Sequence, residues 1–213
     1  MVEAVIWDFG GVLTSSPFEA FTRYERERGL PVDFIRGINA TNPDTNAWAL
    51  FERSEVTLDE FDALFAKEAK AKGHDVGGRA VVELLSGDIR PAVVAALKAC
   101  KARVKVGCIT NNVPAGQGAG MARSADKAAA VADVMALFDH VIESSKLGIR
   151  KPDPRIYELA CKELGVSPAN CIYLDDLGIN LKPARALGMT TIKVGDPAIA
   201  MRELEAAVGF PVG

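Results

Sequence analysis

Val5-Ile-Trp7, followed at once by Asp8-Phe-Gly-Gly11, is an apolar run that stops at a carboxylate and two turn-forming glycines. A short apolar run bounded in this way fits a strand buried on both faces, as in the middle of a parallel sheet. Comparable runs recur at Val104–Ile109, His140–Ile142, Cys171–Leu174 and Thr190–Val194. Helical patterns separate most of them: Pro91–Lys101, Asp126–Leu137, Pro154–Leu164, Ile179–Leu187 and Ala198–Val208. The third of these has Asp153 as its expected N-cap and proline at the first helical position, where the missing N–H costs nothing. Strands alternating with helices predict an α/β fold, a Rossmann-like, doubly wound and mainly parallel sheet.

One stretch breaks the alternation. From about residue 15 to residue 88 there is no convincing strand, only helical patterns such as Phe18–Arg28 and Leu58–Lys72. The second opens on Thr57-Leu-Asp-Glu60, a capping box in which each side chain satisfies an amide at the helix start. The block is far longer than an ordinary βα connection. It is expected to form an inserted helical cap domain (15–88) on a core built from 1–14 and 89–213, with plain helices beside the sheet as the alternative. Asn112–Ser124 carries three glycines, but they do not form the dinucleotide-binding pattern, and the segment reads as a flexible loop.

Composition limits the chemistry. The 213 residues are 49% hydrophobic and 25% charged, with a formal net charge of −3, so the chain predicts a soluble globular protein without the basic excess of a nucleic-acid binder. No run reaches the ~18 apolar residues of a membrane span, and the N-terminus turns acidic too soon for a signal peptide. The four cysteines are scattered and have apolar neighbours, which predicts reduced thiols in a cytoplasmic protein. Only His74 and His140 are available as histidines, so carboxylates, hydroxyls and lysines must carry any reaction.

In a doubly wound sheet, ligands bind beyond the carboxyl ends of the strands, where the strand order reverses. Asp8 follows the first run, Thr110 and Asn111 the second, and Asp175-Asp176 the fourth, while Lys151 precedes the helix after the third. Each is ordinary alone, as a turn residue or a solvated surface charge. Together they place three carboxylates, a hydroxyl and an ammonium at one edge. Two unit charges ~4 Å apart repel by about 4 kcal/mol at an effective dielectric near 20. Three converging aspartates therefore call for Lys151 and a divalent cation, and oxygen ligands favour magnesium. A cation beside a lysine suits a phosphate, which a fixed aspartate can attack.

Asp8-Phe-Gly-Gly-Val12, Ile109-Thr-Asn111, Lys151-Pro-Asp-Pro154 and Leu174-Asp-Asp176 resemble, in order, the four motifs of the haloacid dehalogenase-like (HAD) hydrolases. Val141–Val194 is similar to the N-terminal phosphatase domain of soluble epoxide hydrolases. The resemblance implies Asp8 as nucleophile and magnesium ligand, with the Gly10 carbonyl and Asp176 as further ligands and Asp175 acting through water or hydrogen bonds. It implies that Thr110 and the Asn111 amide hold phosphate oxygens, that Lys151 neutralises Asp8 and the phosphoryl group, and that Asn180 braces the metal loop. The implied substrate is a small phosphorylated metabolite, and Phe18, Trp48, Phe51, Arg23 and Arg53 are candidate cap contacts. The chain departs from the family at Gly10, where phosphatases usually carry the general acid/base aspartate. Three readings follow: a phosphatase without its own leaving-group acid, a dehalogenase-type hydrolase without metal, or a non-catalytic binding protein.

Overall fold

The computed structural model describes residues 1–213. All five expected strands are present, with ends shifted by a residue: β1 (Ala4–Trp7), β2 (Lys105–Thr110), β3 (His140–Glu143), β4 (Cys171–Asp175) and β5 (Thr190–Lys193). They form one parallel sheet in the order β3-β2-β1-β4-β5. The chain first builds outward from β1 through β2 to β3, then crosses back to place β4 on the other side of β1. Strand order therefore reverses at β1, the strand that Asp8 ends.

Between β1 and β2 run α1 (Pro17–Arg28), α2 (Phe34–Asn39), α3 (Ala47–Glu52), α4 (Leu58–Ala71), α5 (Gly78–Val82) and α6 (Pro91–Lys101). Then α7 (Ala125–Met135) joins β2 to β3, α8 (Ser144–Leu147) and α9 (Pro154–Leu164) lead to β4, α10 (Gly178–Ala186) leads to β5, and α11 (Pro197–Val208) follows it. The local signals act as expected. Asp153 caps α9 by accepting from the Arg155 amide, and Thr57 and Glu60 form the reciprocal capping box of α4. No helix is long and apolar enough to cross a membrane.

Strand alternation divides the core into two layers. Val5 and Trp7 of β1 face one way, into a cluster with Val93 and Leu97 of α6, Val131 of α7 and Leu204 of α11. Ala4 and Ile6 face the other way, against Ile156, Tyr157 and Ala160 of α9 and Leu181 of α10. With both faces covered, the strands read as continuous apolar runs rather than as an alternating pattern.

Helices α1 to α5 bury a third cluster of their own, built around Phe21, Ile35, Phe51, Phe61 and Phe65. Here the structure corrects one expectation. Phe51 is fully buried and stacked on Phe61 with ring centroids 4.4 Å apart, so it is core and not a surface for substrate. The loop of 112–124 is also less free than its composition suggests. Asn112 is buried and bonded to Glu143, Ser144 and Ser145, and Val113 joins the third cluster.

Candidate active site

The register places the site. Trp7 pairs with Leu174 and with Cys108, so one residue further on Asp8 lies beside Asp175 across β4 and next to the end of β2 across the other edge. The Asp8 amide continues the ladder by donating to the Leu174 carbonyl at 2.8 Å. Beyond Asp8 the chain must turn sharply, and Gly11, at φ +82°, makes the turn. A Cβ at Gly11 would overlap the Asp176 carboxylate, so this glycine supplies both the backbone conformation and the room for Asp176. Arg90 fixes the turn from the far end of the helical segment by donating to the Gly11 carbonyl at 2.7 Å.

Lys151 is the centre of the arrangement. It is 1% exposed, and its ammonium meets Asp8 Oδ1 at 2.7 Å, Asp175 Oδ2 at 3.0 Å and the Ile109 carbonyl at 3.0 Å. All three of its donors are thus committed. Burial alone would lower this ammonium, but the Asp175 and Asp8 carboxylates outweigh it and hold Lys151 above the ordinary lysine range. Its backbone is gripped as well: the Asn111 side chain accepts from the Lys151 amide at 2.8 Å and donates to the Lys151 carbonyl at 3.0 Å.

Asp8, Asp175 and Asp176 each bring a carboxylate oxygen within 4.8 Å of the others. Asp175 is saturated. Its oxygens accept from the Leu177 amide, Asn180 Nδ2, Lys151 and the Tyr173 hydroxyl. Asp8 and Asp176 have fewer protein partners: Asp8 has Lys151 and the Phe9 amide, and Asp176 has Ser16 at 3.5 Å. Three carboxylates face one ammonium, and the imbalance shows in the acidity of Asp8 and Asp176. Burial, helped by Asp175 and Asp176 and opposed by Lys151, pushes Asp8 up to about 8. Burial and Asp175 likewise push Asp176 up to about 6. A cation between Asp8 and Asp176 would remove the strain, and the donors there are all oxygen, which fits a hard divalent ion.

Thr110 is buried at the end of β2, and the main-chain amides of Gly10, Gly11 and Asn111 find no carbonyl acceptor in the protein. Gly10 has no side chain to offer, and a Cβ built on it would meet no atom within 4 Å. Of the proposed cap contacts, Arg53 is paired with Glu55, Arg23 is exposed on α1, and the Phe18 ring lies under Arg36. His140 sits at the exposed start of β3, level with Ile6 and two strands away from it, and His74 packs edge-on against Phe34.

Two contacts went unread in the sequence. Glu52, buried at the end of α3, accepts from Trp48 Nε1 at 2.8 Å and lies 2.6 Å from Arg150 Nε, an ionic contact in which the N–H is not aimed at the oxygen. Glu52 also meets Asn111 Nδ2 at 3.4 Å, and Arg150 donates to the Pro43 carbonyl. The helical segment therefore rests on the carboxyl edge of the sheet at the residue before Lys151. Tyr173 was the second omission. Its place two residues before Asp175 puts both on one strand face, and that period-two signal was available.

The haloacid dehalogenase-like hydrolase family model matches residues 2–188. Over 98% of its length the chain is 35% identical to mouse acyl-CoA dehydrogenase family member 10, and over 96% it is 32% identical to mouse bifunctional epoxide hydrolase 2. It spans only 19% and 39% of those two proteins. It is 33% identical to the phosphatase MT3486 of Mycobacterium tuberculosis (strain CDC 1551 / Oshkosh), covering 88% of this chain and 85% of that one. Among solved structures it superposes on a HAD family enzyme of Bacteroides thetaiotaomicron in complex with magnesium and inorganic phosphate, with a TM-score of 0.59 and 18% identity over 92% and 96% of the two chains. It also superposes on the L-2-haloacid dehalogenase of Xanthobacter autotrophicus, with a TM-score of 0.62 and 20% identity over 100% and 85%. The strand order, the reversal at Asp8 and the extent of these matches agree: the chain belongs to the haloacid dehalogenase-like hydrolases.

Proposed function

We propose that the protein is a phosphatase acting on a small phosphorylated metabolite, with Asp8 as its nucleophile and magnesium as its cation. The observation that carries this reading is Lys151, buried between Asp8 and Asp175 at 2.7 and 3.0 Å and aimed at the carboxylate that would attack. The likeness to a curated phosphatase over most of both chains supports it further. In this reading Asp8, Asp176 and the Gly10 carbonyl hold the cation, while Asp175 acts through Lys151 and Asn180. When bound, the cation supplies positive charge beside the phosphoryl oxygens.

The chain's own groups do the rest. The Asn111 amide and the Thr110 hydroxyl orient phosphate oxygens, and Lys151 stabilises the charge they gain as Asp8 approaches the phosphorus. As an Asp8 oxygen bonds to phosphorus, the bond from phosphorus to the leaving oxygen breaks and that group departs with the electron pair. A water oxygen then bonds to phosphorus and the Asp8–phosphorus bond breaks, releasing phosphate and the carboxylate. Residues 15–88 act as a cap: they have their own buried cluster and meet the site edge through Ser16, against Asp176, and Glu52, against Arg150 of the core. A metal-free dehalogenase accounts less well for three acidic groups converging at one point.

The test is phosphate release from an activated aryl phosphate with and without magnesium. Turnover should require the ion and vanish in Asp8→Asn. Equal rates in native and variant protein, or no release from any phosphate ester or anhydride, would end this reading.

A further inference from the structure

Catalysis at this site lacks a group that alkyl phosphate hydrolysis demands. When an alkyl phosphate is cleaved, the departing oxygen becomes an alkoxide about as basic as hydroxide, whose conjugate acid, water, has a pKa of about 15.7. A protein acid normally delivers the proton. Residue 10, in the turn directly after the nucleophile, is glycine, and a Cβ there would meet no atom within 4 Å. The position itself therefore offers no acid, and the first atom of a side chain there would meet no neighbour.

The lysine, tyrosine, glutamate and histidine side chains that could replace it are engaged or placed elsewhere. Lys151 spends its three donors on Asp8, Asp175 and the Ile109 carbonyl. The Tyr173 hydroxyl is given to Asp175, and that of Tyr157 to the Asn180 carbonyl at 2.8 Å. Glu52 is occupied by Trp48 and Arg150. His74 is packed on Phe34, and His140 stands on β3, two strands away from β1 and level with Ile6.

Resting on the phosphatase reading, we infer that the substrates are phosphoric–carboxylic anhydrides, the acyl phosphates, and not alkyl phosphate monoesters. A carboxylate leaving group has a conjugate acid with a pKa of about 4 and departs without a proton. In the first step an Asp8 oxygen bonds to phosphorus, the bond from phosphorus to the acyl oxygen breaks, and the carboxylate leaves with the electron pair. In the second, a water oxygen bonds to phosphorus, the Asp8–phosphorus bond breaks, and the Asp8 carboxylate re-forms. One water proton ends on the released phosphate, whose own oxygen accepts it. No step calls for the missing acid.

The experiment measures phosphate release from acetyl phosphate and from glycerol phosphate, with magnesium, by the native protein, Gly10→Asp and Gly10→Ala. A parallel series of aryl phosphates of graded leaving-group acidity is run on the native protein alone. The native protein should favour acetyl phosphate, and its rate along the aryl series should fall steeply as the leaving group becomes more basic. Gly10→Asp should narrow the preference by about 10²–10⁴-fold through a gain on glycerol phosphate, the usual worth of a general acid. Gly10→Ala fills the same space without a proton and should give no such gain. A flat aryl series, native turnover of glycerol phosphate equal to that of acetyl phosphate, or equal gains in both variants would overturn the inference. If none of the three proteins releases phosphate from any substrate, the phosphatase reading itself falls, a distinct result.

Discussion

Replacing Lys151 with methionine keeps the side chain's length and most of its volume while deleting one buried charge. The ammonium lies 2.7 Å from Asp8 and 3.0 Å from Asp175, with 1% of the residue exposed, so water cannot take its place. Removing one partner of a buried pair costs about 3–5 kcal/mol, because the remaining charge is left uncompensated. For a domain of this size that corresponds to a fall in melting temperature of roughly 6–20 °C. The loss should also depend on pH in a defined direction. Asp8 already sits near 8, against an ordinary value of 3.8, with Lys151 opposing the rise, so loss of Lys151 raises it further. From about pH 8 upward the native protein releases the Asp8 proton while the folded variant keeps it, and the unfolded chain has released it far below. A folded state that binds more protons than the unfolded state loses stability as pH rises. The gap between variant and native protein should therefore widen with pH, by up to about 1.4 kcal/mol per unit. Urea unfolding without added cation at about pH 7 and about pH 9.5 measures both quantities, on the two sides of the Asp8 titration. A deficit below about 1 kcal/mol, or one equal at the two pH values, would refute the view that Lys151 acts as a buried counter-ion.

Two further outcomes follow from the same carboxylates. Magnesium must displace protons from Asp8 and Asp176, held near 8 and near 6, so the melting-temperature rise it causes should be larger at pH 8 than at pH 5.5. Thermal melts with and without the ion at both pH values check this, and Asp176→Asn should remove most of the rise. Gly11→Ala forces a side chain onto a left-handed backbone and into the Asp176 carboxylate. It should cost about 1–3 kcal/mol in urea unfolding and weaken the magnesium response at the same time. A variant as stable and as responsive as the native protein would show that the turn adapts.

The sheet was legible because its strands are covered on both faces and each apolar run ends on a polar residue. The starts of α9 and α4 were legible because Asp153-Pro154 and Thr57-Leu-Asp-Glu60 encode their caps locally. The residues around Asp8 could be assembled on paper, since parallel strands bring all carboxyl ends to one edge. What escaped was contact across the seam. Nothing local to Glu52 indicates that it meets Arg150, almost a hundred positions later, and Phe51 looks the same in sequence whether it faces a substrate or stacks on Phe61. Asp175 and Asp176 are likewise adjacent and identical in type. Only the surrounding donors distinguish them: one is fully engaged by protein groups and the other is left open towards Asp8.

The central position of β1 bears on how the molecule is made. Its two neighbours in the sheet are residues 105–110 and 171–175, so on a ribosome the strand Ala4–Trp7 emerges long before either partner exists. Contacts within α1 to α5 are close in sequence and can form early, whereas β1 depends on pairings across a hundred residues or more, which form slowly. Until then Val5, Ile6 and Trp7 are a bare hydrophobic segment of the nascent chain, a natural target for a holding chaperone. Asp8, next to that segment, gains its neighbours only when β4 arrives. The reactive centre is thus completed only once residues 171–175 have been synthesised.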